Sequence, residues 1–197
     1  LSLSAGSYAI TVQATDTAGN AGPASTSLGL TVDQTAPVTL GPPDLLAASD
    51  TGSSNTDNIT NAASQSFSGS ATTGDTVNVL VGGVTVGSVT AAGGSWSFAT
   101  SLSSGSYAIT AVAADTAGNT GPASTALNIV VDQTAPATLA APDLLAASDS
   151  GSSNTDNITN AATQSFSGAA TAGDTVNVLV GGVTVGSVTA AGGSWSF

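Results

Sequence analysis

Thr76-Val77-Asn78-Val79-Leu80-Val81-Gly82-Gly83-Val84-Thr85-Val86-Gly87-Ser88-Val89-Thr90 decides how this chain is read. Val77, Val79 and Val81 alternate with other residues, so an extended strand puts them on one face. Their β-branched side chains favour that state. Val84, Val86 and Val89 carry the return run. Gly82 and Gly83 stand between the runs, and a two-residue primed turn needs positive φ at both positions, which glycine adopts without steric cost. The stretch is therefore predicted to be a β-hairpin with strands over Thr76–Val81 and Val84–Ala91.

The same alternation extends in both directions, with turn residues every 8–12 positions and no apolar pattern of helical period. Strands are predicted over Leu45–Ser49, Gln65–Ala71 and Ser95–Thr100, then one opened by the segment Leu102…Gly105-Ser106-Tyr107-Ala108-Ile109, and last over Ser124–Val131. Asp115-Thr116-Ala117-Gly118-Asn119-Thr120-Gly121-Pro122 is the loop before the last of them. With the hairpin, that makes a seven-stranded β-sandwich. Phe67, Trp96, Phe98 and Tyr107 are its aromatics and read as core packing, which leaves none to form a sugar-binding platform. Gly105-Ser106-Tyr107 before a strand has the form of the tyrosine corner of immunoglobulin-type sandwiches, with Ile109 where those domains often carry a cysteine.

The hairpin recurs at Thr175–Thr189, and residues 1–98 return as residues 100–197 with 17 of 98 positions changed. A period near 100 is too long for a solenoid unit of about 20–50 residues. It is the length of one small domain. The expected organisation is all-β: tandem seven-stranded immunoglobulin-like β-sandwiches in an extended array. Residues 1–33 supply the C-terminal strands of one repeat, 34–132 a complete repeat, and 133–197 the N-terminal strands of another, so both ends read as cuts within domains.

Lys, Arg, His, Cys, Met and Glu are all absent, and the 12 acidic side chains are all Asp, for a net charge of −12. Without cationic side chains the chain cannot neutralise phosphates, so nucleic-acid binding is excluded, and anionic membrane surfaces repel it. Without His and Cys there are no zinc or copper sites of the usual kind. The many hydroxyls have no base to activate them, and paired carboxylates repeated every 99 residues are a poor match to a glycosidase site. The chain is read as no enzyme. No apolar run reaches the roughly 18–20 residues of a membrane helix. Asn58-Ile59-Thr60 and Asn157-Ile158-Thr159 fit the glycosylation pattern, but three residues are a weak signal and no glycan is expected.

The acids are the candidate site. Asp33, Asp44, Asp50, Asp57, Asp75 and Asp115 recur as Asp132, Asp143, Asp149, Asp156, Asp174 and, earlier in the chain, Asp16. Counting strand reversals puts Asp75 and Asp115 at the end where the chain enters the sandwich. Asp33 closes the preceding domain, and Asp44 follows the linker Gln34-Thr35-Ala36-Pro37, so at least four carboxylates are expected where two domains meet. The loop Asp50-Thr51-Gly52-Ser53-Ser54-Asn55-Thr56-Asp57-Asn58 adds two more, at an end the sequence leaves open. Crowded carboxylates with no cationic side chain repel. Ca²⁺, which takes about 6–8 oxygen ligands, relieves that repulsion better than the strictly octahedral Mg²⁺. All twelve Asp are therefore candidate Ca²⁺ ligands; the competing reading is that they cap turns and keep the surface soluble.

Val131-Asp132-Gln133-Thr134-Ala135-Pro136, followed by Ser148-Asp149-Ser150-Gly151 and Thr155-Asp156-Asn157-Ile158-Thr159-Asn160, resembles the tandem bacterial immunoglobulin-like repeats of giant surface adhesins. Gly192-Gly193-Ser194-Trp195-Ser196-Phe197 and Asp115-Thr116-Ala117-Gly118-Asn119 look like that family's strand and loop signatures. The resemblance implies a biofilm-associated or repeats-in-toxin-type adhesin, secreted and held at the bacterial cell surface. It also implies Ca²⁺ at the domain junctions, stiffening a rod that serves as an extender. The partners are then neighbouring repeats of the same chain. A self-assembling filament or sheath, in which neighbouring chains exchange strands, is the alternative.

Overall fold

The computed structural model describes residues 1–197, which divide into two compact units, Leu1–Thr134 and Ala135–Phe197. All regular structure is β. In the first unit the strands are β1 (Gly6–Ile10), β2 (Leu28–Val32), β3 (Asp44–Leu45), β4 (Ile59–Thr60), β5 (Gln65–Ser70), β6 (Thr76–Val81), β7 (Val84–Thr90), β8 (Ser95–Thr100), β9 (Gly105–Ala114) and β10 (Leu127–Val131). β1 and β2 form a two-stranded antiparallel sheet. The remaining strands build two sheets, ordered β3-β5-β8 and β4-β10-β9-β6-β7.

The hairpin forms where the sequence predicts it. Val81 pairs with Val84, and Gly82 and Gly83 take φ of 57° and 84°, the positive pair that a primed turn demands. The two sheets close on one core. Leu45, Phe67 and Trp96 come from one sheet, and Val77, Val79, Ile109, Ala111, Ile129 and Val131 from the other. Phe67 and Ile109 are wholly buried. Phe98 and Tyr107 pack partly buried against this core. The Tyr107 hydroxyl donates to the Ser103 carbonyl at 3.0 Å, four residues upstream, completing the tyrosine corner.

The edge strand differs from the reading. A single strand over Leu45–Ser49 is replaced by two short pieces that lie in different sheets. β3 pairs with β5. The chain then turns, with Ser49 and Asp50 both donating their N–H to the Leu46 carbonyl at 2.7 and 3.0 Å. It re-emerges as β4, parallel to β10 through Ile59↔Val130 and Thr60↔Val131. Ala47-Ala48-Ser49 has no β-branched side chain to hold an extended backbone, and Ser and Asp favour turns. With the split strand counted once, the sandwich has seven strands. The last strand also starts later than predicted. Ser124 meets Ala111 through its hydroxyl, which accepts the Ala111 N–H at 2.9 Å, and ladder pairing begins only at Leu127.

The second unit holds β11 (Asp143–Leu144), β12 (Phe166–Ala169), β13 (Thr175–Val180), β14 (Val183–Thr189) and β15 (Ser194–Ser196). These repeat β3 and β5–β8 with the same registers. Its core is Val176, Ala190 and Trp195.

Truncation of the most buried aromatic tests this packing. Phe67→Ala is expected to remove about 3–5 kcal/mol from the complete repeat, and Tyr107→Phe about 1 kcal/mol. Both are read from the midpoint of urea unfolding, and equal midpoints in wild type and Phe67→Ala would contradict the core assignment.

Candidate functional site

The loop after β9 closes on its own first residue. Asp115 Oδ1 accepts the N–H groups of Ala117 and Asn119, each at 2.9 Å. Oδ2 accepts the Asn119 side-chain amide at 2.9 Å. Asp and Asn four positions apart thus make a ring around the turn, of the kind short polar side chains favour. Asp16 repeats it, with Ala18 N at 2.9 Å, Asn20 N at 2.8 Å and Asn20 Nδ2 at 2.9 Å. Asp75 and Asp115 flank the Thr76↔Ala114 pair, so strand counting put them correctly at one end of the sandwich.

One contact separates the two loops. Asn119 Nδ2 also donates to the Asp33 carbonyl at 3.1 Å, so the preceding domain's last residue is tied to this domain's β9–β10 loop. The Asp16 loop is closed by the same set of hydrogen bonds. Close behind, a Cβ at Gly121 would stand 2.5 Å from the Pro37 carbonyl oxygen. Only glycine admits the linker backbone at that distance. At the matching Gly22 the nearest atom is the Ala14 carbonyl oxygen at 3.6 Å. The linker itself opens on an Asx turn: Asp33 Oδ1 accepts Thr35 N–H at 2.9 Å, as Asp132 Oδ1 accepts Thr134 N–H at 3.0 Å. Asn119 and Gly121 both lie in the loop motif Asp115–Pro122. The Asp-to-Asn spacing was the available signal for the first; nothing local marks the second.

Four carboxylates do not gather here. No three of the acids lie close enough to hold a metal between them. Asp44 is drawn into β3 opposite Ser68, and Asp75 is buried at 7% exposure. What the joint offers is two carboxylates with capacity left. Asp33 Oδ2 accepts no hydrogen bond from the chain, and Asp115 Oδ2 accepts one. Both are hard oxygen ligands, the kind a Ca²⁺ ion takes in a shell of about 6–8.

Residues 37–133 and 136–197 both match the family model of the bacterial Ig-like domain. The chain belongs to that family. No curated protein matches the sequence. Among solved structures it is similar to the fibronectin(III)-like modules of Clostridium thermocellum CbhA, at 19% identity and a TM-score of 0.37, spanning 66% of this chain and 64% of that one.

The other acids of these Ig-like domains lie elsewhere. Asp57 and Asp156 are exposed and cap the N–H groups of Ile59 and Ile158 at 3.0 and 3.1 Å. Asp143 opens β11 opposite Ser167, as Asp44 opens β3. Asp174 keeps the turn of Asp75, its carbonyl accepting Ala190 N–H at 2.9 Å. Asp50 and Asp149 are the most enclosed, each only 2% exposed. Their loop, open in the sequence reading, starts at the Gln65 end of β5, where Leu46 N–H donates to the Ser66 carbonyl at 2.9 Å. It ends beside Val130 and Val131, so it sits at the end of the sandwich away from the Asp75 and Asp115 turns.

Hydrogen bonds from the Asn119 side chain, and then from the Asn119, Ala117 and Gly118 backbone, hold the Asp115 carboxyl below its ordinary value against the opposing effect of burial. Asp16 is lowered in the same way, first by the Asn20 side chain. A carboxyl lowered on folding stabilises fully above its unfolded value near 4 and loses that contribution as pH falls through the lower folded value. Asn119→Ala is expected to raise the Asp115 carboxyl toward the ordinary range in a carbon-13 NMR titration and to loosen the linker amides of Thr35 and Ala36 in hydrogen exchange. Asn20→Ala is expected to raise Asp16 alone. Equal linker protection in wild type and Asn119→Ala would contradict the clamp.

Proposed function

We propose that this chain is an extender segment of a bacterial cell-surface adhesin, in which Ig-like domains in series hold a binding activity away from the cell and serve adhesion and biofilm formation. The observation that carries the reading is the joint. A four-residue linker is tied to the following domain by Asn119 at the Asp33 carbonyl and seated against Gly121, which suits a spacer that must resist bending. Near-identity of the repeats fits the same task, since a spacer gains from repeated units while a catalytic centre needs only one. No helix is long and apolar enough to cross a membrane, and the family is typically extracellular and non-catalytic.

Calcium is the proposed stiffener. Asp33 and Asp115 bring two negative charges to the joint, with no cationic side chain anywhere in the chain to balance them. An ion bound there would replace repulsion with shared ligation, at the affinity of about 10⁻⁴–10⁻³ M common in extracellular modules. Binding to the folded form alone would also raise stability by mass action. The partners are neighbouring repeats of the same chain, and strand exchange between chains would appear instead as an oligomer.

Millimolar Ca²⁺ is expected to raise the melting temperature of the whole chain and narrow its distribution of dimensions in small-angle X-ray scattering. Chelator should reverse both, and Asp33→Asn with Asp115→Asn should abolish the change in dimensions. Dimensions that are equal with Ca²⁺ and with chelator would overturn the stiffening role.

A further inference from the structure

The chain leaves the complete repeat through Asp132-Gln133-Thr134-Ala135-Pro136, and the first two of these residues stay bound to the domain behind them. Asp132 N–H donates to the Thr60 carbonyl at 2.8 Å, carrying the β4–β10 ladder one residue past its last strand pair. Gln133 N–H then donates to Ser104 Oγ at 3.0 Å. The Gln133 side-chain amide donates to the Ala62 carbonyl at 3.0 Å and to the Leu102 carbonyl at 3.4 Å. Ala62 lies between β4 and β5, while Leu102 and Ser104 lie between β8 and β9. One linker residue thus grips two connections of the sandwich at once.

A second glutamine spans the same gap from inside. Gln65 is wholly buried. Its Nε2 donates to the Ala62 carbonyl at 2.6 Å, and its Oε1 accepts the Leu102 N–H at 2.9 Å. A carbonyl oxygen has two lone pairs, so Ala62 serves both glutamines. The two connections that Gln133 holds at the surface are therefore also joined beneath it. In the second unit Gln164 keeps the inner contact, donating to the Ala161 carbonyl at 2.6 Å.

Little freedom is left after Gln133. Asp132 Oδ1 takes the Thr134 N–H at 3.0 Å. Pro136 has a fixed φ and restricts Ala135 before it to extended backbone. The chemistry of the grip matters as well. A primary amide holds carbonyl oxygens without adding charge to a chain of net −12, and its bonds neither titrate nor need a cation. Asn119 uses the same amide-to-carbonyl contact on Asp33, from the domain that follows a linker. Gln133 uses it from the linker onto the domain that precedes.

We propose that Gln133, together with Ser104, is a latch that sets the direction in which the chain leaves an Ig-like domain, and that it holds without any ion. The role rests on the extender reading, in which the exit direction of each domain shapes the rod. It differs from the Asp33 and Asp115 joint, where stiffness is assigned to Ca²⁺. Its consequence is mechanical: a pull along the linker passes into the β4–β5 and β8–β9 connections and not into β10 alone.

Nitrogen-15 relaxation of the whole chain in chelator tests the latch. The Gln133 and Thr134 amides are expected to be as ordered as β10, with order parameters of about 0.85. Gln133→Ala with Ser104→Ala should bring both positions below about 0.6 while leaving the melting temperature nearly unchanged. Ala5 already stands where Ser104 does in the other copy, so the second change is one the sequence itself makes. Gln133→Glu keeps the length and loses both donors, and should loosen the linker as Ala does. Gln65→Ala, by contrast, should lower the melting temperature by several degrees. Linker amides as ordered in the double variant as in wild type, or ordered in wild type only when Ca²⁺ is added, would overturn the latch. So would a fall in melting temperature for the double variant as large as that for Gln65→Ala. Dimensions that do not respond to Ca²⁺ would count against the ion at the joint and leave the latch standing.

Discussion

A folded chain with twelve Asp and no cationic side chain must meet every carboxylate with N–H groups or with something from solution. Most of the acid geometry follows from that constraint. Asp16 and Asp115 wrap their oxygens in backbone and Asn N–H groups. Asp33, Asp57, Asp132 and Asp156 each cap an N–H two residues on. Asp50 and Asp149 are half-met, one oxygen bonded and one enclosed without a partner. Surface ion pairs, which in other proteins absorb such charge, have no place here. Local turns and solvent are what remain.

The same turns build the joint. The Asp115 loop is closed by its own Asp and Asn hydrogen bonds. The linker adds to it one hydrogen bond, Asn119 to the Asp33 carbonyl, and one close backbone approach at Gly121. The linker's own Asx turn leaves few soft dihedrals between Asp33 and Pro37. Sequence, turn chemistry and domain spacing thus act in one direction.

The fold was legible wherever it depends on local pattern. The Gly82-Gly83 hairpin, the tyrosine corner and the shared end of Asp75 and Asp115 follow from alternation, turn type and strand counting. The split edge strand was not. β4 is two residues long and owes its existence to β10, 71 positions away in sequence, so no window around Ile59 signals it. The candidate site was legible in its chemistry and not in its grouping. Asp44 reads as a linker acid but is captured by β5, and Asp50 reads as one more loop acid although it is the most enclosed in its repeat. Burial of a loop carboxylate depends on how the loop folds back, which composition does not encode. Asn119 was hidden for a different reason: its contact to Asp33 exists only between domains.

Crystals of the whole chain grown in millimolar CaCl₂, with anomalous scattering recorded to locate calcium, address the central claim most directly. The account predicts a calcium peak about 2.3–2.6 Å from carboxylate oxygens of Asp33 and Asp115 at the joint. Water alone at the Asp33 and Asp115 oxygens, with no anomalous signal there, would contradict it.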